Sequence, residues 1–254
     1  MIGSLAKLAA FAAKARLRGD LRALNVARSA ALEAENRLDQ FTAGLELTLQ
    51  KANLRQWVGD GEFSIRLADL YSQEGSGLYE SLSLAVICLL VRPKSVFEFA
   101  SSKSPATALF ARYSPESARI HILDLNIKSI ANPAGNKRSA AVSAVGSPVP
   151  DDVQEQIARG RIVCLAGNSM AYDFIEFDHA CDLIFIDAGQ SYPFAKSDTD
   201  RAFEMLRQGG VIIWHHYKQT CPGVVRAVNE AGASRRIYHI DGTSLAVFGL
   251  TQGQ

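Results

Sequence analysis

Residues 183–187 (LIFID) restrict the fold more than any other stretch of the chain. They read as a buried strand that carries a carboxylate, Asp187, to its C-terminal end, and a polar segment, a helical stretch, Gly209 and Gly210 follow. A second apolar strand, residues 211–214 (VIIW), then delivers His215, His216 and Tyr217. Open α/β sheets bind ligands outside the carboxyl ends of their parallel strands. Asp187, His215 and His216 are therefore candidate catalytic residues.

The rest of the chain supplies the partners of these strands. Residues 80–91 form a strongly apolar helical stretch ended by Pro93, and residues 95–99 read as the first core strand. A helix around residues 107–113, a strand at 119–124, a short helix from Asp151 and a strand at 161–165 come next. The Asp151 carboxylate suits an N-terminal cap. After His215 the pattern predicts a helix over 222–230. Two strands, 236–240 and 245–248, joined through Asp241 and Gly242, then make an antiparallel hairpin. Strands alternating with helices mean a doubly wound, mostly parallel sheet, here of seven strands. Residues 67–254 are assigned to this domain and residues 1–66 to an N-terminal helical extension.

That extension differs in character. Before residue 19 it carries Lys7, Lys14, Arg16 and Arg18 and no acid, which fits a basic targeting segment or an exposed first helix. Leu17, Leu24, Ala31, Leu38 and Leu45 recur every seventh residue, but Arg28, Glu35 and Thr42 occupy the companion positions. A helix packed on its own domain and an arm for a homodimer or partner protein both fit that stripe. No apolar run reaches the ~18 residues that span a bilayer. A formal charge of +1 over 254 residues gives no pull toward nucleic acid. Cys88, Cys164, Cys181 and Cys221 show no metal spacing, so buried reduced thiols and a cytoplasmic setting are expected. Residues 127–150, with Lys128, Lys137 and Arg138, read as a long loop.

Taken in order, residues 96–104 (VFEFASSKS), 122–125 (ILDL), 167–169 (GNS) with 172–174 (YDF), 182–187 (DLIFID), Ser191 and Tyr192, 196–198 (KSD), 206–217 and 242–246 (GTSLA) carry a resemblance. Over roughly residues 78–250 the chain resembles the class I S-adenosylmethionine-dependent methyltransferases, above all the small-molecule O-methyltransferase branch. The resemblance implies a Rossmann-like fold, S-adenosylmethionine as cofactor and a small-molecule hydroxyl, of a saccharide or secondary metabolite, as acceptor. It implies that Glu98 and the turn Ala100, Ser101 and Ser104 lie under the methionine moiety. Asp124 would accept hydrogen bonds from the ribose hydroxyls, Asn168 and Ser169 would border the adenine, and Asp187 would face the transferred methyl or the acceptor.

The departures from the family pattern are as informative. Ala100 and Ser104 stand where glycines are usual, and neither admits positive φ or close backbone approach as glycine does. Gln190 replaces a histidine, and glutamine does not titrate. His216 stands where an aspartate is common. Imidazole, with an ordinary pKa of ~6.5, suits a base for the acceptor hydroxyl. If the strand stays extended, only one of His215 and His216 enters the pocket, and His216 is the choice. The same alternation speaks against a divalent metal on Asp187, His215 and His216, although imidazole and carboxylate together suit a transition ion. Tyr192 and Trp214 are read as pocket walls or core, and His121, His179 and His239 as structural. The altered loop also fits a non-catalytic, partner-binding relative. A nicotinamide-dependent oxidoreductase lacks its GxGxxG seat.

Overall fold

The computed structural model describes residues 46–70, 77–100, 104–124 and 151–251. The basic N-terminal segment, its seven-residue stripe, Ser101, and the loop with Lys128, Lys137 and Arg138 lie outside the described residues. In chain order the elements are β1 (Gln50–Ala52), α1 (Arg55–Val58), α2 (Leu67–Leu70), α3 (Leu78–Val91), β2 (Ser95–Ala100), α4 (Pro105–Tyr113) and β3 (Arg119–Asp124). They continue with α5 (Asp151–Ala158), β4 (Ile162–Ala166), β5 (Cys181–Asp187), α6 (Tyr192–Met205), β6 (Leu206–Trp214), α7 (Pro222–Gly232), β7 (Ile237–Ile240) and β8 (Ala246–Phe248).

Eight strands make one sheet in the order β1-β7-β8-β6-β5-β2-β3-β4. Only β8 runs against its neighbours, pairing antiparallel with β6 and β7. The expected doubly wound sheet with its C-terminal antiparallel pair is present. Its central strands are predominantly apolar because both faces are covered. Alternation along each strand splits the core in two. Val96, Leu183, Phe185, Val211 and Ile213 pack with Leu84, Ile87, Leu109 and Phe110 of α3 and α4. Phe97, Phe99, Ile184, Ile186, Ile212 and Trp214 pack with Ala202 and Met205 of α6 and Val225 and Val228 of α7.

Two features correct the expected architecture. An eighth strand, β1, pairs parallel with β7 within the region assigned to a helical extension, and Leu54 and Trp57 just after it are buried. Only Ala52 of its three residues is buried, so no alternation announces it. The strand expected at 211–214 also starts earlier, at Leu206, through Gly209 at φ 78°. That backbone is one glycine adopts freely. The register against β5 shifts between Cys181 and Leu183.

Candidate active site

The central strands end level with one another. Ala100 is the register partner of Asp187, Asp124 of Ala166, and Trp214 of Ile186. Alternation along β5 places Asp187 on the α3–α4 face, two residues beyond Phe185, and His215 follows Ile213 on that same face. Continued extension would send His216 to the opposite face. Instead β6 ends at Trp214, and His216 turns back at φ 61°, a left-handed conformation uncommon for a non-glycine residue. Both imidazoles consequently meet Asp187, which overturns the expectation that only one could. Nδ1 of His215 lies 2.8 Å and Nε2 of His216 lies 3.1 Å from Asp187 Oδ1. The two rings stack at 4.0 Å between centroids.

The cluster has a fourth member. Nε2 of His215 lies 3.3 Å from Oε2 of Glu80, in the first turn of α3. The other Glu80 oxygen accepts from both the backbone N–H and the hydroxyl of Ser244, each at 2.6 Å. An imidazole with a carboxylate at each nitrogen is held as a double donor. Burial lowers the pKa of His215, but the bonds to Asp187 and Glu80 outweigh it and raise it to about 9. Burial works against Glu80 too, yet His215 and Ser244 hold it down at about 2. Asp187 is likewise lowered, its desolvation overcome by both histidines. Sequence reasoning missed Glu80 because an acid in a first helical turn is already explained by the helix dipole.

The residues expected to hold a cofactor line the same edge. Glu98 is fully buried; its Oε2 accepts from the Thr107 hydroxyl at 2.8 Å, and Oε1 has no partner among the described residues. Burial pushes its carboxyl up to about 8, against the Thr107 bond and helped by the charge of Asp187. Asp124 closes β3 and is buried. Ser104 caps α4 by accepting from the Ala106 N–H at 3.3 Å. Asn168 accepts from the Met170 N–H at 3.0 Å and starts a 3₁₀ turn, Ser169–Ala171. Asp198 of α6 is buried; burial pushes it up to about 6, with the Ser169 hydroxyl acting in the opposite sense.

Other expected residues fall in the framework. Trp214 is core, its indole N–H donating to Thr199 Oγ1 at 2.9 Å. The Tyr192 hydroxyl donates to Glu230 at 2.8 Å, with the Arg226 guanidinium over its ring. His121 packs on Phe97 and Phe177, and His239 lies 2.8 Å from the Thr243 carbonyl. All four cysteines are free and buried. No helix among the described residues is long and apolar enough to cross a membrane.

Fold and edge together define a Rossmann-like α/β protein with an acid–imidazole cluster at the carboxyl ends of its central strands. The family described as "Methyltransferase domain" matches residues 77–217, more than half of the chain, and the chain belongs to that family. The resemblance read from the residues holds at this level. No curated protein matches the sequence. Among solved structures, the chain is similar to the O-methyltransferase TomG from Streptomyces achromogenes in complex with SAM, at 13% identity over 70% of this chain and 82% of that one, with a TM-score of 0.48. It is similar to the O-methyltransferase from Bacillus cereus in complex with SAH at 15% identity, 77% and 96% coverage and a TM-score of 0.48. A methyltransferase from Geobacter sulfurreducens shares 15% identity, with 68% and 79% coverage and a TM-score of 0.46.

Proposed function

We propose that the protein transfers a methyl group from S-adenosylmethionine to a hydroxyl of a small-molecule acceptor. The observation that carries this reading is the convergence of Asp187, His215 and His216 on the same sheet edge as Glu98 and Asp124, in a chain of the methyltransferase-domain family. When bound, the cofactor supplies an electrophilic methyl on a sulfonium. Glu98, with a buried oxygen lacking a partner among the described residues, suits the ammonium of its methionine moiety, near Ala100 and Ser104. Asp124 is assigned to the ribose hydroxyls, and Asn168 and Ser169 to the adenine. Asp187 and the two imidazoles form the reacting end: His215, protonated between Asp187 and Glu80, orients the carboxylate, and His216 is assigned the proton of the acceptor hydroxyl.

Calorimetric titration with S-adenosylmethionine and its demethylated product tests the reading, with Asp124→Ala alongside. Micromolar binding abolished by the substitution is the expected result. Absence of binding at millimolar cofactor overturns it and leaves a methyltransferase-like scaffold for a partner, the reading that Ala100 and Ser104 in place of glycines favour.

A further inference from the structure

We propose that Glu80 is a positioning residue: moored by Ser244, it locks His215 as a donor at both ring nitrogens and thereby makes His216 the imidazole that can accept a proton. This division of roles rests on the proposed methyl transfer, in which one of two adjacent histidines serves the acceptor hydroxyl; the lock itself does not. The two oxygens of Glu80 take different partners. Oε1 accepts from the backbone N–H and the hydroxyl of Ser244, both at 2.6 Å, and that residue lies in the turn between β7 and β8. Oε2 is left to Nε2 of His215 at 3.3 Å, while Nδ1 of the same ring lies 2.8 Å from Asp187 Oδ1. Stacking fixes the plane of the ring as well, against Phe185 at 6.2 Å and against His216 at 4.0 Å between centroids.

Hydrogen-bond chemistry then separates the two histidines. An imidazole that faces a carboxylate at each nitrogen carries a proton on both and has no lone pair left for an acceptor hydroxyl. His216 meets one carboxylate only: its Nε2 lies 3.1 Å from Asp187 Oδ1, and its Nδ1 has no partner among the described residues. Asp187 cannot make this distinction, because the same Oδ1 serves both rings. Glu80 makes it, since it pairs with His215 and not with His216. The side chains of Glu80 and His215 are 13% and 14% exposed, so little water competes for their bond. The charged groups that face His215 are Glu80 from α3, Asp187 from β5 and His216 from its own turn. Glu98 of β2 feels the charge of Asp187, but burial pushes its carboxyl up to about 8, so it adds no further anion at neutral pH. Without the charge of Glu80 the two rings would share one carboxylate and compete for one role.

The test follows the ring nitrogens of His215 and His216 by NMR in the full chain, without cofactor, with the signals assigned by their loss in His215→Gln and His216→Asn. At pH 8 both nitrogens of His215 should carry a proton, and His216 should keep one nitrogen that does not. Burial opposes the charge on His215, but Asp187 and Glu80 hold its proton to about pH 9. Glu80→Gln keeps an oxygen for Ser244 and turns its amide N–H toward Nε2 of His215, which must then accept. The ring should become neutral with its proton on Nδ1, and the pH at which it loses its charge should fall by about 1–3 units. Ser244→Ala, which retains the backbone N–H, should lower that pH by less. An unprotonated Nε2 on His215 in the wild-type protein at pH 8, or an unchanged titration in Glu80→Gln, overturns the proposal. Calorimetry with S-adenosylmethionine on the same proteins separates the two readings, since Glu80 is not among the residues assigned to the cofactor. Cofactor bound by a protein whose His215 is not locked sinks the positioning role and leaves methyl transfer standing; a locked His215 without cofactor binding removes the transfer that the lock would serve.

Discussion

Replacing Glu98 by glutamine isolates the cost of a buried carboxyl in the centre of the sheet. In the folded protein burial raises this group from 4.5 to about 8. Between those values the unfolded chain has released the proton while the folded chain still holds it, so the unfolded state binds fewer protons and stability falls as pH rises. At about 1.4 kcal/mol per pH unit the loss is about 3 kcal/mol by pH 7 and at most about 5 kcal/mol by pH 8, beyond which it is constant. Below pH 4.5 both states are protonated and the contribution vanishes. Glutamine is nearly isosteric with the protonated acid, retains an acceptor for the Thr107 hydroxyl and does not titrate. Urea unfolding of both proteins at pH 5, 6.5 and 8 reads the effect as a difference. The two should lie close together at pH 5, and the variant should be the more stable by several kcal/mol at pH 8. A gap that stays within about 1 kcal/mol across the range would refute the reasoning, because Glu98 would then ionise without penalty.

Two further substitutions probe the framework of the site. A Cβ on Gly223 would meet the backbone N of Tyr192 at 2.4 Å and the Gln190 carbonyl oxygen at 2.6 Å, so α7 cannot approach the start of α6 without glycine there. Gly223→Ala should destabilise by about 2 kcal/mol or more and lower Tm by roughly 5 °C; an unchanged melting curve would show that the two helix starts are not so tightly apposed. The buried Tyr217 hydroxyl donates to Asn229 at 2.6 Å and accepts from the Leu49 N–H at 3.2 Å, tying the chain before β1 to α7. Tyr217→Phe should cost about 1–3 kcal/mol and speed hydrogen exchange at Leu49, and unaltered exchange there would count against this tether.

The sheet was legible because strands covered on both faces read as near-continuous apolar runs, as LIFI and VIIW do. Asp187 and His215 were legible because charge at the end of such a run has nowhere to go but the edge. β1 was not, since three residues with one buried leave no period to read. The place of His216 was hidden for a different reason: its side chain follows a backbone angle that favours glycine, and no residue type at that position announces it. Glu80 and Ser244 are 164 positions apart, and only the fold brings the α3 start against the β7–β8 turn.

The division of the core by strand parity makes the chain behave like a reading frame. Ile213 of β6 and His215 just beyond its end share a phase with α3, and Ile212 and Trp214 share the opposite one with α7. Losing or gaining a single residue between Gly210 and Trp214 would exchange the two phrases, burying an imidazole under α7 and turning the indole toward Glu80. Upstream, the left-handed Gly209 and the register shift at Cys181 mark where the frame is set. Length changes in this lineage should therefore gather before Gly209 or beyond Tyr217, while the four residues between the glycines and the histidines keep their number even where their identities drift.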